Sequence, residues 1–314
     1  MEKMEIENAA ARRRIREEIL RAIARNRVPG YHFAGNFFGT MFEKVGPDGA
    51  IVQMDPGVHT ADADGSLHIG ALALLADVAM GASIRARIHP TVRLATTGMQ
   101  LQFSGVAPKA PLEATATCDG YVRGAPGQHA LSSVTVRQGG ELICRASGVF
   151  MVVPAPGGKV LPPFPWRTRD ELQVDLPATL DDEECAILAR ADALLAAPDC
   201  ADSFIRRFLA YRTVRDEGGT TTTMPNGPHI GNRVGHLQGG VLLGLAAVNA
   251  HAALDGNWAL TGLSASFMRP GEGQEMRARS RVVHCGRHTA MVRTEVFAED
   301  RQILDAMTTH AALS

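Results

Sequence analysis

The stretch Gly70-Ala-Leu-Ala-Leu-Leu-Ala-Asp77-Val-Ala-Met-Gly-Ala-Ser83 is apolar or small at every position but one. A helix that is apolar on nearly all sides is a buried helix. An ionised carboxylate inside it costs several kcal/mol unless it is hydrogen-bonded or faces a solvent-reached cleft, and its pKa rises toward values useful to a general base. Asp77 is therefore either a proton-transfer group or a structural carboxylate that caps a buried backbone group.

Working outward, the chain repeats itself at about 165 residues, the size of a duplicated domain. Phe37-Phe-Gly-Thr-Met-Phe42 leads through the turn Gly46-Pro-Asp-Gly49 to Ile51-Val-Gln-Met-Asp-Pro56, a loop, and the apolar run after His68. Phe208-Leu-Ala-Tyr-Arg-Thr213 leads through Asp216-Glu-Gly-Gly219 to Thr220-Thr-Thr-Thr-Met-Pro225, a loop, and the apolar run after Gln238. Thr97-Gly-Met-Gln-Leu-Gln-Phe103 then matches Thr261-Gly-Leu-Ser-Ala-Ser-Phe267 in the alternation of a half-buried strand. Two more alternating stretches close each copy, Ala130 to Arg137 with Leu142 to Val153, and Ala290 to Phe297 with Ile303 to Leu313. Each copy reads as strands, one helix, then a strand meander.

Prolines 154, 156, 162, 163 and 165 with Gly157 and Gly158 mark a linker between the copies. The expected division is 1–153, a linker at 154–170, and 171–314. Asp181 to Ala197 reads as a helix with acids in its first turn and Pro198 just past its end. Glu7 to Arg27 reads as the matching leader, and its Arg12-Arg-Arg14 cluster, followed by Glu17 and Glu18, as a solvated helix face.

The 32 Lys plus Arg against 33 Asp plus Glu leave a net charge of −1, which disfavours a nucleic-acid or membrane-surface partner. No apolar run reaches the roughly 20 residues of a bilayer span, and the charged N-terminus lacks a signal-peptide pattern, so a cytoplasmic protein is expected. Five scattered cysteines and eleven histidines contain no C-x-x-C and no H-E-x-x-H. Neither a disulfide framework nor a metal is expected.

The residues around the two apolar runs resemble tandem hotdog-fold acyl-CoA thioesterases of the phenylacetate-pathway type, with the signature N-x5-H-G-G-x6-D and a later Y/F-x-R-P-like motif. Copy one has Asp62, His68-Ile69-Gly70 and Asp77; copy two has Asn232, Gln238-Gly239-Gly240, Ala247 in the acid's place, and Phe267-Met-Arg-Pro-Gly271. The resemblance implies an α+β fold of two hotdog domains, each an antiparallel sheet wrapped around a central helix, paired as an intrachain pseudo-dimer. It implies one complete composite site, Asp77 facing Asn232, Gln238 and Gly239. The opposite site, with Ala247, Asp62, His68 and Ile69, is expected to be inert. A homodimer of double hotdogs is a further expectation from the resemblance.

Hydrolysis of an acyl-CoA thioester to free acid and CoA needs no cofactor. It needs an activated water and a place for the developing oxyanion. The N–H of Gly239 at a helix start supplies the second, since glycine lets the substrate approach, and Gly240 follows it. Asp77 supplies the first, as general base or as nucleophile. Asn232 would orient water or the thioester, Gln238 replaces the family's His, and the Thr96 hydroxyl would help hold the water. His284-Cys-Gly-Arg-His288 resembles a turn that meets CoA phosphates, which makes Arg287 and His288, together with Gly240, candidate substrate or CoA contacts; copy one has Gln128 in that turn. Leu74, Val78, Met99 and Leu101 would line an apolar acyl pocket.

Two other classes stay open, a non-catalytic acyl-thioester binding protein and a hotdog dehydratase or hydratase. Trp166 and Trp258 read as packing residues, and Gly240-x-x-x-Gly244 as a close helix contact. His59, His236 and His251 read as ordinary polar residues.

Overall fold

A computed structural model describes residues 2–27, 32–123, 129–155, 157, 160, 178–197, 202–232 and 236–313. The linker expected at 154–170, Trp166, Pro198 and the turn with Gln128 fall wholly or mostly outside the described residues.

Copy one comprises α1 (Glu2–Asn26), α2 (Phe33–Phe37), β1 (Thr40–Gly46), β2 (Gly49–Met54), α3 (Ile69–Arg85), β3 (Val92–Phe103), β4 (Leu112–Tyr121), β5 (His129–Gln138) and β6 (Glu141–Pro154). Copy two comprises α4 (Asp182–Ala196), α5 (Phe204–Leu209), β7 (Arg212–Asp216), β8 (Gly219–Pro225), a 3-10 turn (Pro228–Ile230), α6 (Gly239–Ala252), β9 (Trp258–Phe267), β10 (Glu275–Cys285), β11 (Thr289–Ala298) and β12 (Arg301–Ala312). The element order is the same in both, as the repeat requires. Phe37 and Phe208, read as strand residues, belong instead to the short helices α2 and α5, and β4 was missed.

Among the described residues all strand pairs are antiparallel, and they form one twelve-stranded sheet in the order β1-β2-β4-β5-β6-β3-β9-β12-β11-β10-β8-β7. The order is the same read from either end once each strand is exchanged for its copy. The two halves join where β3 meets β9, with Gly98 opposite Ser266 and Gln102 opposite Gly262. This is the tandem hotdog arrangement, one continuous sheet whose two halves each hold one buried helix.

α3 and α6 lie antiparallel against each other inside the sheet. A Cβ on Gly240 would come within 2.3 Å of the Leu74 backbone, and one on Gly244 within 2.6 Å of Gly70 Cα. Glycine is required at both positions because the backbones touch. The Gly-x-x-x-Gly pattern is thus a helix contact across the pseudo-twofold. That twofold pairs position 70 with 240 and 77 with 247, so each helix start lies beside the middle of the other helix.

The outer layer is built by local signals. Asp181 and Glu184 form a reciprocal cap at the start of α4. Arg27 pairs with Glu184 at 2.6 Å and Arg16 with Asp192 at 2.8 Å, so α1 rides on α4. Among the described residues, no helix is long and apolar enough to cross a membrane.

Candidate active site

Asp77 sits in the middle of α3, and both of its oxygens are engaged. Thr96 Oγ1, on β3, donates to Asp77 Oδ1 at 2.9 Å. Gln238 Nε2, from the other copy, donates to Asp77 Oδ2 at 3.2 Å. Burial raises the Asp77 carboxyl to about 6 against the opposing pull of these two donors. That rise corresponds to about 3 kcal/mol of destabilised negative charge.

Gln238 does two things at once. It precedes α6 as its N-cap, and its Oε1 accepts the N–H groups of Gly240 (2.5 Å) and Val241 (3.2 Å). That leaves Nε2 free to reach Asp77. Gly239 is the first residue of α6, so its N–H has no partner in the helix's own ladder. A Cβ there would lie 3.2 Å from Asp77 Oδ2 and 3.6 Å from the Phe267 ring.

A cavity of about 430 Å³ opens at this junction. Asp77, Thr96, Asn232, Gln238 and Gly239 all line it. Gly240 lies one residue behind, against Leu74. Asn232 helps shape the loop: its Oδ1 accepts the His236 N–H at 3.1 Å, and its own N–H reaches the His236 carbonyl at 2.6 Å.

The cavity has two sides. Along β3, Thr96 faces α3 beside its register partner Phe150, whereas Arg93, Ala95 and Thr97 alternate to the opposite face with Met151 and Val153. Residues from both faces line the cavity because β9 pairs only with positions 98 to 102, leaving the edge of β3 before them open. The inner side is Thr40, Phe42, Val78, Gly81, Ala82 and Phe150, with Arg85 and His32 also lining the cavity. The outer side carries Arg93 and the loop Phe267 to Gly271, including Arg269.

Of the residues expected to line an acyl pocket, Val78 does. Leu74, Met99 and Leu101 are instead core, none more than 3% exposed, because they point into the α3–α6 and sheet packing. The structure does not bring Arg287 or His288 to the cavity. Their turn is closed by Gly286 N–H to the Thr289 carbonyl, and the His288 carbonyl accepts from Ala312. It stands past the C-terminal end of α6, where Ala253, Leu254 and Ala290 cluster. Gly239 is at the other end of that helix, about 20 Å away along its axis. His236, read as an ordinary polar residue, lines the cavity and meets Glu272 at 3.0 Å. His32, Arg93 and Arg269 were not singled out in the sequence; no spacing rule connects them, and only the sheet order gathers them.

Arg85 donates to the carbonyls of His89, Pro90 and Val92, so it clamps the turn into β3. Arg93 Nε is buried and has no hydrogen-bond partner. Among the described residues, no group of three or more His, Cys, Asp or Glu side chains is placed to hold a metal ion.

Comparison with known proteins bears on the fold and on the second copy. Residues 229–311 match the sequence family described as acyl-CoA thioesterase N-terminal domain, and residues 19–152 match a domain of unknown function, DUF4442. None of the curated proteins compared matches significantly. Among solved structures, one from Lactobacillus plantarum assigned as an oleoyl thioesterase superposes with a TM-score of 0.54 at 10% identity, covering 84% of this chain and 95% of that one. A hot dog fold protein of unknown function from Alicyclobacillus acidocaldarius gives 0.52 at 13% identity, covering 84% and 93%. The TesB protein of Mycobacterium avium subspecies paratuberculosis gives 0.52 at 13% identity, covering 87% and 96%. The chain is a tandem hotdog protein. Its second copy carries the match to an acyl-CoA thioesterase domain.

Proposed function

We propose that the chain hydrolyses acyl-CoA thioesters at one composite site, with Asp77 from copy one and the start of α6 from copy two. The observation that carries this reading is the Asp77–Gln238 hydrogen bond beside the Gly239 N–H, at the wall of the cavity. A carboxylate raised to about 6 is matched to removing a proton from water near neutral pH. Each carboxylate oxygen still has a lone pair beyond the one taken by Thr96 or Gln238. A water held there attacks the carbonyl carbon and gives its proton to Asp77. The oxyanion is met by the Gly239 N–H and the positive end of α6. The C–S bond then breaks, and the thiolate takes the proton from Asp77.

The acyl group lies on the inner side, against Phe42, Val78, Gly81 and Phe150. The CoA arm leaves around the open edge of β3 to the outer side, where Arg93 and Arg269 are the cations available to phosphate. In this reading they take the place expected of Arg287. Asn232 acts by holding the loop that precedes Gln238.

Free-thiol release from short, medium, long and aryl acyl-CoAs tests the proposal. Turnover of at least one ester is expected. Binding of an ester without turnover would favour the binding-protein reading.

A further inference from the structure

The pseudo-twofold sets a second location opposite the first, and its side chains are of another kind. Asp77 is replaced by Ala247, Thr96 by Leu260, Gln238 by His68, Thr40 by Tyr211, and Phe150 by His310, which pairs in register with Leu260 as Phe150 does with Thr96. Two buried polar atoms there have no hydrogen-bond partner, His68 Nε2 and Tyr211 Oη. Buried polar groups left unpaired are costly, and their gathering at one place needs an explanation.

The geometry of the first location supplies it. There Gln238 takes the helix N–H groups with one end and offers its other end to a carboxylate. His68 is the N-cap of α3 and is fully buried. Its Nδ1 accepts the Gly70 N–H at 3.0 Å, which places the proton of the neutral ring on Nε2. That N–H is the counterpart of the Gln238 amide. The ring stays neutral, since burial and the charge of Arg206 lower it to about 3. With Ala247 in the acid's position, no carboxylate among the described residues is hydrogen-bonded to that donor.

Tyr211 adds a second donor, its ring stacked on His68 at 5.8 Å between centroids. Arg206 lies beside them: its carbonyl accepts the Tyr211 N–H at 3.3 Å, and its guanidinium acts on Asp62 as well as on the exposed Asp202 at 3.7 Å. Asp62, nearby, is hydrogen-bonded by Ser203 at 3.4 Å, and burial raises its carboxyl.

We infer that this second location is a binding site for a small organic carboxylate, whose oxygens take the seat that Asp77 fills in the first, held by His68 Nε2–H and Tyr211 O–H. The inference stands on the pseudo-twofold, whether or not Asp77 is the hydrolytic base.

Sodium butyrate, followed by magnetic resonance of the histidine ring nitrogens, tests it in the full chain. A saturable shift of the His68 Nε2–H signal is expected. Tyr211→Phe, which removes only the hydroxyl, should weaken it at least about tenfold. Ala247→Asp should abolish it by filling the seat from within. Asp77→Asn should leave it unchanged, which separates this location from the hydrolytic cavity. No saturable shift, a shift that Tyr211→Phe does not weaken, or one lost in Asp77→Asn would overturn the inference.

Discussion

Gln238 gives its Nε2–H to Asp77 at 3.2 Å while its Oε1 accepts the Gly240 N–H, so one side chain both caps α6 and aims the acid of α3. The two copies are thereby coupled at the carboxylate. Both Gln238 and Thr96 lower the Asp77 pKa by binding its charged form. In the wild type, kcat/KM should rise with pH through about 6 and level off above it. Thr96→Val and Gln238→Leu should each move that limb to higher pH. Gln238→Leu should also cost about 1 kcal/mol of stability through the lost cap. A pH–rate profile of the three proteins checks both, and an unmoved limb would remove Thr96 and Gln238 from the base's environment.

The same burial sets a pH dependence of stability. The Asp77 carboxyl is raised from 3.8 to about 6 in the folded protein, so between those values the folded state holds the extra proton. Stability is fully retained below about pH 4 and falls as pH rises through 6, by about 3 kcal/mol in all. Asp77→Asn lacks this term. Denaturant unfolding at pH 4 and pH 8 should show the wild type losing about 3 kcal/mol relative to that variant.

The arginines of the outer side should act on binding of the CoA arm alone. Arg93→Ala and Arg269→Ala are expected to raise KM for an acyl-CoA about tenfold with little change in kcat, and to leave an acyl-N-acetylcysteamine thioester unaffected, since it has no phosphate. Arg287→Ala should change neither. Equal losses on both esters would place the arginines in the fold and not in recognition.

Where the helices touch, space is the constraint. Gly240→Ala would put a methyl 2.3 Å from the Leu74 backbone, so α3 and α6 must separate. A loss of about 3 kcal/mol or more is expected, read by chemical denaturation.

The central helix and its acid were legible because Asp77 stands alone in an apolar run, and the pseudo-dimer because Asp77 and Gln238-Gly239 keep complementary parts of one signature. β4 escaped because its alternation is Ala114 and Ala116 against Glu113, Thr115 and Thr117, which carries little hydropathy contrast. Arg287 lies away from the cavity, since a hairpin's sequence does not say which end of the neighbouring helix it will stand beside. Arg93 and Arg269 were invisible for the opposite reason: they come from β3 and from the loop after β9, and meet at the cavity only through the open edge between those strands. His68 and Tyr211 meet across the two copies, so no local pattern links them.

Steady-state thiol release by wild type and Asp77→Ala, on whichever acyl-CoA the wild type hydrolyses fastest, tests the account most directly. The account predicts a fall in kcat of at least about 10²-fold with the fold intact by circular dichroism. A variant that turns over at the wild-type rate would contradict it.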